Sequence, residues 1–196
     1  MRFMVYKSHL LEDFNIDSDD NTISAESSLS DITNITPVAT KVMDAYQSAN
    51  KWLDITKEAL YSDMGCVFFS SFVHELAHTM PGRFDKFGDI LHTTNIKIPY
   101  PATAYIPNEP KNIDEVFDTI FMCLDNIKNS LNEFIDCTDK EFHGMACSAE
   151  TLLNDIEEEY PMLYRLKQEW NQCGGDNIKF DKYVNQFVKS KDDLLA

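Results

Sequence analysis

No CxxC pair occurs in this chain, and its five cysteines (Cys66, Cys123, Cys137, Cys147, Cys173) are odd in number and widely spaced. A disulfide framework or a cysteine-based zinc site is therefore not expected, and a reducing cytoplasm suits the pattern. Glycine and proline are scarce, six and seven in 196 residues, which favours long helices over many tight turns. No apolar run is long enough to span a bilayer. Met1 to Leu11 lacks an apolar stretch followed by small residues, so no signal peptide is expected. Basic residues are few, 17 against 33 acids, for a net charge of −16. That balance disfavours binding to a phosphate backbone and suits a surface that concentrates cations.

What is present is helical periodicity. Residues 1–35 stand apart: they carry seven acids and two bases, and the stretch from Asp17 through Ser30 has no helical period. They read as an acidic, mobile arm, although Phe3, Val5, Tyr6, Leu10 and Leu11 would also suit a short docked extension. Thr36 and Pro37 then supply a cap and a first helical position. Val38, Val42, Ala45, Tyr46, Ala49, Trp52, Leu53, Ile55 and Leu60 recur at helical spacing up to Asp63-Met64-Gly65. A second helix runs from about Cys66 to Asn95 on the stripe Phe69, Val73, Leu76, Met80, Phe84, Phe87 and Leu91. Pro81-Gly82 predicts a kink or brief break in it.

Residues 96–111 hold four prolines and no period. Asn112, with Glu115 three residues on, caps a third helix, whose stripe is Ile113, Val116, Phe117, Ile120, Leu124, Ile127, Leu131 and Phe134. Thr138-Asp139-Lys140-Glu141 reads as a second capping box. It opens a fourth helix with Met145, Ala149, Leu152, Ile156, Leu163, Leu166 and Trp170, kinked at Pro161 and stopped by Gly174-Gly175. A short amphipathic helix over 178–190 follows, with Phe180, Tyr183, Val184, Phe187 and Val188.

Loop lengths predict the topology. Helices one and two are joined tightly, as are three and four, so each pair is antiparallel. The connection between helices two and three reaches roughly 50 Å when extended, and a helix of 28 residues is about 42 Å long. It can cross the whole bundle, leaving helices two and three parallel. The expected fold is all-α: a ferritin-like four-helix bundle over 36–173 with a long crossover between helices two and three, an arm over 1–35, and a C-terminal helix within 174–196.

Three of the five histidines fall within helix two, among acids: His74, Glu75, His78, Asp85, Asp89 and His92. At about 100° per residue from Leu76, the apolar stripe centres near roughly 30°, while His74, His78, Asp85, Asp89 and His92 lie between about 160° and 220°, and Glu75 near about 260°. The imidazole and carboxylate face is opposite the core face. It is either solvated or turned toward another subunit, and this donor set is usual for iron, zinc or manganese. His74-Glu75-Leu76-Ala77-His78 also matches HExxH, the zinc-peptidase pattern of two histidine ligands and a glutamate that activates water. Glu75-Leu76-Ala77-His78 is further a Glu-x-x-His unit of di-iron carboxylate bundles. The second such unit is missing: Glu157-Glu158-Glu159-Tyr160 puts tyrosine where histidine would stand, with Asp44 and Asp125 as further partners.

The stretch from Phe68-Phe69 through His74-Glu75-Leu76-Ala77-His78 to Asp85-Lys86-Phe87-Gly88-Asp89 resembles the Dps-type mini-ferritins of the ferritin-like superfamily. The resemblance implies a ferroxidase site at a subunit interface, on the outer face of the bundle. His74 matches the family histidine, His78 stands at the following aspartate, and Asp85 and Asp89 match the later acid pair. Residues 99–106 and the restart at Asn112 look like the family's crossover. Tyr61, Ser62 and Asp63 stand where the family has a further histidine.

Three functions follow as expectations. The first is an iron-binding protein, oxidising or storing Fe²⁺ (with zinc or manganese as alternatives), with His74, His78, Asp85 and Asp89 as ligands and Glu75 and His92 beside them. The second is a metal-free ferritin-like assembly or interaction module. The third is an HExxH zinc metallopeptidase. A cytoplasmic homo-oligomer, dimer or cage, is expected, with neither nucleic acid nor membrane as partner.

Overall fold

The computed structural model describes residues 22–94, 96–97 and 108–195. The segment 1–21 and most of the long connection, including Pro99, Pro101 and Pro107, lie outside the described residues. Among the described residues six helices follow one another: α1 Thr22–Ser62, α2 Val67–His92, α3 Ile113–Thr138, α4 His143–Glu157, α5 Glu159–Cys173 and α6 Asn177–Leu195. α4 and α5 are the two halves of the expected fourth bundle helix, so the architecture is four bundle helices plus a C-terminal one. Among the described residues no helix is long and apolar enough to cross a membrane.

The expected stripes form the core. Val42, Tyr46, Leu53 and Leu60 of α1 are fully buried, as are Phe69, Val73, Met80, Phe87 and Leu91 of α2. Every expected core position of α3, and Met145, Ala149, Leu152, Ile156, Leu163, Leu166 and Trp170 of α4 and α5, is buried as well.

Polar contacts between helices give their directions. Along α1 and α2, Ser70 Oγ donates to Lys57 O at 2.9 Å and Asn50 Nδ2 to Ala77 O at 3.0 Å, so the two run antiparallel. Asp118, Asp125 and Lys128 of α3 meet Lys167, Tyr160 and Glu157 in turn, again antiparallel. Arg83 and Lys86 of α2 meet Glu159 and Asp155, a third antiparallel pair. It follows that α2 and α3 are parallel. α1 packs on α2 and α3, α4 on α3 and α2, and α2 and α3 take opposite corners. This is the ferritin-like topology, in which the end of α2 and the start of α3 lie at opposite ends of the bundle.

Three boundaries differ from expectation. α1 begins at Thr22, so Thr36 and Pro37 lie within it. Ile35, ahead of the expected cap, is already core at 2% exposed, and the packing carries the helix past the proline. Thr138 does not open α4: its hydroxyl donates back to Phe134 O at 2.8 Å and it ends α3, while α4 starts after Phe142. The break in the fourth bundle helix falls at Glu158, upstream of Pro161. Pro161 thereby sits in the first turn of α5, where an amide N–H has no intrahelical acceptor and its loss costs little.

The expected ends do form. Asn112 Oδ1 accepts from Glu115 N at 2.9 Å, and Gly65, Gly174 and Gly175 take positive φ at the helix ends. α2 has no cap from its own flank. Asp181 of α6 supplies one, accepting Phe69 N at 2.8 Å while itself 7% exposed. A buried carboxylate at a helix N-terminus is favoured by the helix dipole. Phe180 adds edge-on contacts to Phe69 and Trp170, and together these dock α6 on the bundle.

Pro81 does not break α2. Lacking an N–H, it leaves the Ala77 carbonyl without its helical donor, and the Asn50 amide of α1 fills that role. Asn50→Ala should therefore lower stability by about 1–2 kcal/mol. In a Pro81→Ala background, where the new amide can bond Ala77 O, the loss should largely vanish. Urea denaturation of the four-member cycle checks this; additive effects would show that Asn50 does not serve that carbonyl.

Candidate functional site

The bundle core fixes the rotation of α2 about its axis. Glu75, His78, Asp85, Asp89 and His92 all emerge exposed on the face away from the core, and His74 is half-buried at its margin. The outward direction expected from helical spacing is thus present for all six. Val67 and Phe68, 46% and 41% exposed, head the same face.

The six residues do not converge within one chain. At ~1.5 Å per residue, His78 and Asp85 are about 10 Å apart along the axis, and His74 and Asp89 about 22 Å. They form two groups. The first is His74 and His78, whose rings meet edge to face with centroids 4.2 Å apart. The second is Asp85 and Asp89, one turn apart, with His92 beyond them. Glu75 projects beside the first group.

A seventh residue joins the first group. Asp54 of α1 places Oδ1 3.8 Å from His74 Nδ1, too far for a hydrogen bond. His74 Nδ1 is itself buried and has no hydrogen-bond partner among the described residues. Asp54 also lies 3.6 Å from Lys57 Nζ. Sequence reading missed Asp54 because it belongs to no motif on α1. The signal was the antiparallel register: with Lys57 beside Ser70 and Asn50 beside Ala77, position 54 must face 74. No three histidine, cysteine, aspartate or glutamate side chains come together closely enough to hold an ion among the described residues.

The other candidate carboxylates are arranged differently. A di-iron centre inside the bundle would draw on Glu75 and His78, which point outward, and on Asp44, Asp125 and the Glu157–Glu159 run. Asp125 accepts the Tyr160 hydroxyl at 2.5 Å, and burial together with that bond pushes the Tyr160 phenol above its ordinary value. Glu157 pairs with Lys128 at 2.6 Å. Asp44 lines a cleft between α1 and α3, apart from the others. Between α2 and the α4–α5 break, Arg83 Nη2 donates to Asp155 O at 3.1 Å and to Glu159 Oε1 at 2.7 Å. Tyr46 is fully buried, and its hydroxyl has no hydrogen-bond partner among the described residues. Burial pushes its phenol up, the Arg83 charge opposes that, and the Asp155 charge adds to it. Of these carboxylates only Glu159 is mostly buried, and Arg83 engages it, while Asp125 and Glu157 are exposed and engaged by tyrosine and lysine.

Compared with known protein families, with characterised proteins and with solved structures, the chain matches none. Its ferritin-like likeness is one of topology.

The Arg83–Glu159 pair is mostly buried, with side chains 11% and 18% exposed. Removing the cation strands a carboxylate in the bundle. Arg83→Met should cost about 2–4 kcal/mol, whereas Lys41→Met, which breaks the exposed Lys41–Glu133 pair, should cost less than about 1 kcal/mol. Equal, small losses in thermal or urea denaturation would contradict the buried role of Arg83.

Proposed function

We propose that this chain is a ferritin-like metal-binding subunit that holds ferrous iron between two copies of itself, on the outer face of α2, and oxidises it there to ferric iron with O₂ or H₂O₂ as the electron acceptor. The observation that carries the reading is the division of that face into two half-sites. One has His74 and His78 in ring contact beside Asp54; the other has Asp85 and Asp89. Their midpoint falls at Pro81-Gly82. A two-fold axis there, relating antiparallel α2 helices, sets the histidine group of each copy against the acid pair of the other. Such an isologous contact completes two equivalent sites at once. Gly82 has open space around its Cβ position, so a partner helix can approach closely. Imidazole accepts ferrous iron and carboxylates favour ferric iron, a combination suited to redox cycling.

A second reading draws on Val67 and Phe68. Exposed apolar side chains at the head of the face favour a covering protein surface whether or not an ion is present, which would make the contact one of pure assembly. The HExxH zinc-peptidase reading has less support, because Glu75 is exposed and, among the described residues, no group of three donors that could hold an ion forms around His74 and His78. Five free cysteines support a reducing, cytoplasmic setting, and the charge of −16 supports cations rather than nucleic acid as partners.

Anaerobic Fe²⁺ titration by calorimetry tests the proposal, with Zn²⁺ and Mn²⁺ titrated alongside. At least one ion per chain should bind, and His74→Ala/His78→Ala should abolish that binding. Unchanged stoichiometry in the double variant would reject the metal reading and leave assembly.

A further inference from the structure

A second cluster lies away from α2, where α3 passes into α4. Asp139, His143 and Cys147 stand at one-turn intervals. His143 Nδ1 is 3.0 Å from Asp139 Oδ1, and His143 Nε2 is 3.5 Å from Cys147 Sγ. A carboxylate at Nδ1 holds the proton on that nitrogen, which leaves the Nε2 lone pair directed at the thiol. Nucleophile, base and orienting acid thus form one chain of hydrogen bonds, the arrangement that activates a cysteine.

The surroundings suit a surface reaction. Cys147 is exposed, and the side chains of His143 and Asp139 are 76% and 60% exposed. Gly144 and Ser148, which flank the cysteine's face, are small and exposed, and the Gly144 Cβ position meets open space. Cys66 and Cys123 differ. Burial pushes the Cys123 thiol up to about 12. Burial, with Asp181 beside it, does the same to Cys66. Cys137 is exposed, but the imidazole is bonded to Cys147.

We propose that Cys147 is a modification site that exchanges with small-molecule disulfides, with His143 as general base and Asp139 as its positioning residue. Sγ attacks one sulfur of the disulfide R–S–S–R while its proton passes to His143 Nε2. A new Cys147–S–S–R bond forms and the old S–S bond breaks. The departing RS⁻ takes the proton from the imidazolium and leaves as RSH. The Cys147 sulfur is oxidised, one sulfur of the reagent is reduced, and a small thiol reverses the step.

The test is incubation of the full chain with excess oxidised glutathione, followed over time by peptide mass mapping of each cysteine. Cys147 should be modified about tenfold or more faster than Cys137 in the same molecules. His143→Asn should bring its rate down to that of Cys137, and Asp139→Asn should lower it part of the way. Both substituted side chains are exposed, and matching urea curves verify that the variants fold. Equal rates at Cys147 and Cys137, or a Cys147 rate unchanged by His143→Asn, would overturn the proposal.

Discussion

The rotation of α2 about its own axis is the constraint from which the rest of this molecule follows. Phe69, Val73, Met80, Phe87 and Leu91 are fully buried, and each fully buried side chain of this kind contributes roughly 1.5–3 kcal/mol. Turning the helix to bring its imidazoles inward would expose that stripe and bury histidines and carboxylates without partners. The hydrophobic term therefore decides that His78, Asp85 and Asp89 face out. The rise per residue then decides that they cannot share an ion within one chain. Any joint use of the two groups has to come from a neighbouring molecule.

The polar contacts between helices support the same division. Arg83, mostly buried, is tied to the Asp155 carbonyl and to Glu159, and at the surface Tyr160 is tied to Asp125, so these polar groups hold helices together. Arg83 acts where the fourth bundle helix breaks at Glu158, joining both halves to α2. Asn50 plays a similar part at Pro81. In each case a side chain from a neighbouring helix supplies a bond at a weak point in the backbone pattern, and the α2 face stays free for other use.

Much of the fold was legible because it rests on periodicity and loop length. The stripes of α2, α3 and the fourth helix, the Asn112 cap and the parallel setting of α2 and α3 all follow from those two signals. Local proline and capping rules misled where tertiary packing outweighed them. Pro37 looked like a helix start, but the burial of Ile35 continues the helix above it, and Thr138 looked like a cap but bonds back to Phe134. At the candidate site, the direction of all six α2 residues was legible from angle alone. Asp54 and Arg83 were not, because each acts through contacts between helices whose register appears only once the turn at Gly65 and the α4–α5 break are placed. The Asp139–His143–Cys147 chain has the one-turn spacing of a single helix face, but it lies away from the histidine-rich stretch of α2 and matches none of the motifs found there.

Whether the histidine and acid groups of α2 act across two chains can be tested by mixing. His74→Ala/His78→Ala chains and Asp85→Asn/Asp89→Asn chains should each fail to bind Fe²⁺ alone. Unfolded together and refolded, mixed dimers should regain one of their two sites, formed by the intact histidines of one chain and the intact acids of the other. Failure of the mixture to bind any ion, while the unaltered chain binds it, would contradict a site shared between subunits.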